Sequence, residues 1–202
     1  MWIKICGMTT AAAVAAALEA HVEAIGFVFA RSVRELVPES AAALARPARG
    51  RVRCVAVTRH PTQAAVDEIV RVLAPDLLQS DAEDLARLRL PASLETLPVV
   101  RDTGVLPLPL PGRMLFEGPT SGGGAVSDWS VAAGLARRTQ LVLAGGLNAR
   151  NVAAAIAQVQ PFGVDVSSGV EERPGVKSPA AIMSFVEAVR GAHVAVPAAR
   201  GV

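Results

Sequence analysis

Eight short apolar runs recur along the chain, at 2–6, 24–29, 52–57, 76–79, 97–101, 113–117, 140–144 and 163–166, and nothing else in the sequence constrains its fold as tightly. Between most of them lie alanine-rich or amphipathic stretches of helical length, at 11–20, 39–45, 62–73, 82–88, 130–137, 151–158 and 179–189. The runs are continuous rather than alternating, which is the pattern of strands covered by helices on both faces. A strand followed by a helix, repeated eight times with right-handed crossovers, predicts a parallel (β/α)8 barrel of the TIM type in a single α/β domain. An open doubly wound sheet is the alternative. One crossover breaks the rhythm: "DTGVLPLPLPG" at 102–112 carries three prolines in eleven residues, so the link between strands five and six is expected to be a loop. The barrel is expected to occupy 1–190, and 191–202, without periodic signal, to form a flexible tail.

Composition excludes several classes of partner. With 202 residues and 51% hydrophobic side chains the chain can bury a substantial core. A formal net charge of only +2, with basic residues spread out and aromatics at 3%, offers neither a phosphate-tracking stripe nor base-stacking platforms, so nucleic acid is not an expected partner. No apolar run approaches the ~18 residues of a membrane span, and no secretory leader is recognisable at the N-terminus. The chain is read as cytoplasmic, with no membrane partner, and Cys6 and Cys54, its two cysteines, as free thiols.

Chemistry in such barrels sits where strands end at their carboxyl side. Here the first run ends in Cys6-Gly7, the sixth in Glu117-Gly118, the seventh in Gly145-Gly146 and the eighth in Asp165-Val166-Ser167-Ser168-Gly169. Alternation along a strand puts Lys4 on the face of Cys6, and Asp165 on the face of Ser167. Barrel closure makes strands one and eight neighbours, so Lys4 and Asp165 are expected to meet inside; they are placed with the substrate-binding residues, a purely structural pair being the alternative. Two glycine turns on adjacent strands, with hydroxyls beside them, suit a phosphate held by Gly145, Gly146, Ser167, Ser168 and Gly169. The implied ligand is a phosphorylated small molecule. Asp128 is read as the cap of a helix beginning near Ser130, and Ser178-Pro179 as helix punctuation.

The segments "KICGMT", "AIGFVF" followed by Ser32-Val33-Arg34, a glycine-rich loop leading to Asp128-Trp129, "LAGGL…NV" and "VDVSSGVE…PGVK" stand in an order and spacing that resembles the phosphoribosylanthranilate isomerase family. The resemblance runs from Ile3 to about Phe185. It implies a (β/α)8 barrel with a loop in place of the fifth helix, acting without cofactor or metal in tryptophan biosynthesis, as a monomer or homodimer. The implied reaction converts an N-phosphoribosylated anthranilate into its 1-deoxyribulose isomer by an Amadori rearrangement. That chemistry needs an acid to open the furanose ring and a base to take the proton from C2 of the resulting imine. The resemblance assigns the base to Cys6 and the grip on the anthranilate carboxylate to Arg34, and places Glu117 where the family usually has an aspartic acid. Glu117 is the expected acid, with Asp128 as the alternative. Further departures from the family pattern are "LLQSDAED" in place of Gln-Leu-His-Gly after strand four, and Ser121-Gly122-Gly123-Gly124 in place of Gly-Gly-Thr-Gly. The chain therefore reads as a divergent branch. An isomerase or aldolase acting on another sugar phosphate, and a non-catalytic phospho-ligand binding relative, are the other functions weighed.

Overall fold

The computed structural model describes residues 1–102, 106–107, 109–118 and 127–195, the side chains of 193–195 excepted. Eight strands, β1 (Trp2–Cys6), β2 (Ala24–Val28), β3 (Arg53–Val57), β4 (Leu77–Asp81), β5 (Glu95–Arg101), β6 (Arg113–Glu117), β7 (Gln140–Leu143) and β8 (Gly163–Val166), follow the apolar runs in order. Every neighbouring pair is parallel, and β1 pairs with β8, so the sheet closes into a (β/α)8 barrel. The helices are α1 (Ala11–Glu19), α2 (Pro38–Ala45), α3 (Gln63–Leu73), α4 (Ala82–Leu85), α5 (Trp129–Ala136), α6 (Val152–Val159) and α7 (Pro179–Ala195). Local chemistry fixes their ends. The Thr10 and Thr62 hydroxyls accept from the amides of Ala13 and Ala65 at 3.2 Å, capping α1 and α3. Asp128 Oδ1 accepts from Ser130 N at 2.8 Å and caps α5, as the sequence suggested.

The alternation of side chains sorts the core into two layers. One parity of each strand points outward against the helices, with Ile5, Phe27, Cys54, Leu78 and Phe116 fully buried there. The other parity fills the barrel, with Ala24, Val55, Leu77, Leu115 and Val142 in its apolar floor. Cys54 is thus a core residue, and both cysteines are free. This apolar floor separates the polar residues of the inner parity at the carboxyl ends of the strands, such as Gln79, Arg101 and Glu117, from those at the amino ends, such as Arg53, Glu95 and Arg113.

Differences from the expected boundaries have local causes. The helix expected over 82–88 stops at Leu85 and continues as tighter turns, with Arg87 N bonded to Asp84 O, ahead of Pro91. The chain has no helix among the described residues of 102–112. The final helix runs on to Ala195, so 191–195, expected to belong to a tail, form its last turn; 196–202 lie outside the described residues. A hairpin of β9 (Glu171–Arg173) and β10 (Val176–Lys177), turning through Gly175 at φ +82°, lies between β8 and α7 and was not anticipated.

Candidate active site

The site begins at the end of β1. Gly7, at φ +80°, turns the chain, and an ideal Cβ on it would lie 2.6 Å from Arg34 Cδ, so only glycine lets the Arg34 side chain cross this turn. One strand away, Gly26 pairs in register with Cys6. A Cβ on Gly26 would stand 3.1 Å from Cys6 Sγ and 3.2 Å from Lys4 Cε, so the bare backbone of β2 is the space into which thiol and ammonium converge. Gly26 lies in the quoted segment "AIGFVF", where a lone glycine inside an apolar run is the local sign of a close approach.

Lys4 and Asp165 are register partners on β1 and β8, and Lys4 Nζ donates to Asp165 Oδ1 at 2.8 Å. Lys4 is fully buried behind the pocket rather than lining it; its partners are Asp165 and Cys6. Burial disfavours its ammonium, but the Asp165 carboxylate and the Cys6 sulfur outweigh that, and its pKa stands above the ordinary lysine value. For Cys6 the balance runs the other way. Burial pushes the thiol up, Lys4 pulls it down, Asp165 adds to the rise, and the net displacement is upward. The sulfur therefore rests as a thiol at neutral pH, beside a cation able to stabilise its anion.

A pocket of about 190 Å³ opens above these residues, lined among others by Cys6, Arg34, Gln79, Arg101, Glu117, Asp165 and Ser167. It thus gathers residues from seven of the eight strands, all but β7, together with Arg34 from the loop after β2. Arg34 donates from Nε and Nη2 to the two carboxylate oxygens of Glu171 at 2.7 and 2.9 Å. The fork that the sequence assigns to a substrate carboxylate is therefore braced from one edge by a carboxylate of the protein itself. Glu171 also accepts from Lys177 Nζ at 2.7 Å, and Lys177 donates to the carbonyl and hydroxyl of Ser167 at 2.9 and 3.1 Å. Arg34 and Lys177 together hold the Glu171 carboxylate below its usual range against the opposing effect of burial. Sequence reasoning missed both Glu171 and Lys177, although each lies in a quoted motif. Gln79 is buried, and its Oε1 has no hydrogen-bond partner among the described residues.

Glu117 lies at the rim, its Oε1 3.1 Å from Arg101 Nη2. Asp128, the alternative acid, spends its carboxylate on the cap of α5. Of the residues expected to hold phosphate, Ser167 lines the pocket and Gly145, Gly146, Ser168 and Gly169 lie on the adjoining turns. Gly145 and Gly146 adopt φ +91° and +63°. A Cβ on Gly169 would collide with the carbonyl oxygen of Leu147, so the turns after β7 and β8 pack directly on each other. The run Ser121-Gly122-Gly123-Gly124 lies outside the described residues. A larger groove of about 690 Å³ at the opposite end of the barrel, lined by Trp2, Arg53, Asp76 and Arg113, contains none of the expected site residues.

Residues 3–188 match the family model described as N-(5'-phosphoribosyl)anthranilate (PRA) isomerase. The chain belongs to that family. The N-(5'-phosphoribosyl)anthranilate isomerase of Mesorhizobium japonicum is 40% identical, over 95% of this chain and 96% of its own. Among solved structures, the TrpF of Jonesia denitrificans superposes with a TM-score of 0.79 at 34% identity, covering 96% of this chain and 98% of that one. A phosphoribosylanthranilate isomerase in complex with reduced 1-(o-carboxyphenylamino)-1-deoxyribulose 5-phosphate gives 0.76 at 27% identity, covering 95% and 99%. Family membership makes this chain an aldose–ketose isomerase of tryptophan biosynthesis. Among the described residues no helix is long and apolar enough to cross a membrane.

Proposed function

We propose that the carboxyl-end pocket isomerises N-(5'-phosphoribosyl)anthranilate with Cys6 as base and Glu117 as acid. The observation that carries this is their presence on one pocket, at the ends of β1 and β6, with the Lys4 ammonium beside the sulfur. Glu117 gives a proton to the ring oxygen, the furanose opens and an imine forms at C1. Cys6, once it has given its own proton to solvent and stands as a thiolate beside Lys4, removes the proton from C2, and the resulting enolamine becomes the ketone when C1 gains a proton and the C2 hydroxyl loses one. No atoms enter or leave. The substrate phosphate rests on the turns of Gly145, Gly146, Ser168 and Gly169 beside Ser167, where exposed amides and hydroxyls suit an anion. Arg34, braced by Glu171 through Nε and Nη2, turns its Nη1 side to the anthranilate carboxylate. Asp165 holds Lys4 charged.

Replacing the base tests the reading. Cys6→Ser keeps the volume but offers a hydroxyl too weakly acidic to serve as an anion, so turnover should fall by about a thousandfold while circular dichroism and the affinity for a product analogue stay near those of the parent. Retained turnover in Cys6→Ser would place the base elsewhere.

A further inference from the structure

We propose that Arg101 is a positioning residue for Glu117, and that Asp81, Arg101 and Glu117 form one unit spanning β4, β5 and β6. Arg101 and Glu117 are register partners on adjacent strands, on the face that points into the barrel. Arg101 places Nη2 3.1 Å from Glu117 Oε1 and turns Nη1 to the carboxylate of Asp81, with which it is hydrogen-bonded. All three side chains line the pocket that holds Cys6. They are mostly buried, with side-chain exposures of 17% for Arg101, 13% for Asp81 and 14% for Glu117.

The reason for such a unit lies in the two departures from the family pattern. Glutamate at the end of β6 has one more methylene, and one more torsion to fix, than the aspartic acid usual there. A displacement of ~1 Å of a reacting group can cost two orders of magnitude in rate, so an untethered Glu117 would make a poor acid. A guanidinium supplies the tether, because its planar fork fixes two partners in set directions where an ammonium would hold one loosely. With Gln79 matched to the glutamine of Gln-Leu-His-Gly, Asp81 falls at the place of the missing histidine. It is the carboxylate that clamps the far side of Arg101, and His60 Nε2 approaches it at 4.0 Å from outside. The two departures, on β4 and β6, are therefore joined by a single cation between them, and each accounts for the other.

The inference rests on reading Glu117 as the acid, and the test separates the two. Steady-state turnover of N-(5'-phosphoribosyl)anthranilate by the full chain is compared for Arg101→Met, Arg101→Lys and Asp81→Asn, each alone and combined with Glu117→Gln. Arg101→Met should lower kcat about tenfold or more with KM changed less than about twofold, and Arg101→Lys should recover part of the loss. In the Glu117→Gln background the same substitutions should cost less than about a further twofold, because there is no acid left to position. Should Arg101→Met fail to fold, Arg101→Lys and Asp81→Asn carry the comparison, each with a several-fold loss of kcat confined to the Glu117 background. Equal losses in both backgrounds, a rise in KM at unchanged kcat, which would make Arg101 a substrate ligand, or an unchanged kcat would each overturn the proposal. If Glu117→Gln alone turns over at the parent rate, the acid reading fails and the role of Arg101 fails with it. If Glu117→Gln is inactive while Arg101→Met is not slowed, the acid reading stands and only the role of Arg101 falls.

Discussion

At the residue scale the site is an arrangement of opposite charges that keeps reactive groups poised. Cys6 stays a thiol at rest because burial outweighs Lys4, and Lys4 stays charged beside the Asp165 carboxylate that accepts its hydrogen bond. Glu117, like Asp165 and Glu171, is tied to a cation, in its case Arg101. Glu117→Gln preserves shape and hydrogen bonding but has no proton to give the ring oxygen; kcat should therefore fall by roughly a hundredfold to ten-thousandfold with little change in KM, measured by steady-state kinetics. Turnover that survives unchanged would give the acid role to another group. Cys6, Arg34 and Glu117 were legible because each ends or follows an apolar run in a recognisable motif. The role of Glu171 was not, since what defines it is a contact with a residue distant in the chain: Glu171 is 137 residues from Arg34 yet accepts both hydrogen bonds from its fork.

At the scale of elements, the turns after β7 and β8 act as one surface. The glycines of "LAGGL" and "DVSSG" could be read from sequence as two separate turns. Their mutual packing could not, because it depends on Gly169 fitting beneath the carbonyl of Leu147. Gly169→Ala should force these turns apart, lowering the unfolding midpoint by ~1–3 kcal/mol equivalent and raising KM several-fold with a smaller effect on kcat. An unchanged KM would mean that the phosphate rests elsewhere. The hairpin of β9 and β10 is too short to show a strand pattern, three residues against two, yet it delivers Lys177 to Ser167 and Glu171 and so fixes the loop after β8 from behind. Boundary differences of one to a few residues, such as α4 ending at Leu85, reflect local turn bonds rather than any change of element.

For the whole molecule, closure of the barrel is the decisive event, and the Lys4–Asp165 pair lies across the seam between β1 and β8. Lys4→Met would leave the Asp165 carboxylate buried without its cation, and loss of one partner from such a pair costs about 3–5 kcal/mol, which urea unfolding at neutral pH should register as a lowered midpoint at an unchanged slope. A loss below ~1 kcal/mol would show that the seam is held by the apolar layers alone. The sequence by itself determined the number and order of the eight strands, the helices that cover them, the proline-rich link and which residues stand at the strand ends, because periodicity, glycine turns and capping residues act over a few neighbouring positions. Only the tertiary structure decided that Lys4 sits behind the pocket, that Arg34 is braced by Glu171 and that Arg101 joins Asp81 to Glu117. The Arg101–Glu117 contact follows from the register between β5 and β6, and the Arg34–Glu171 contact from the meeting of the loop after β2 with the hairpin after β8; both are set by the packing of the whole closed barrel rather than by any segment of the chain.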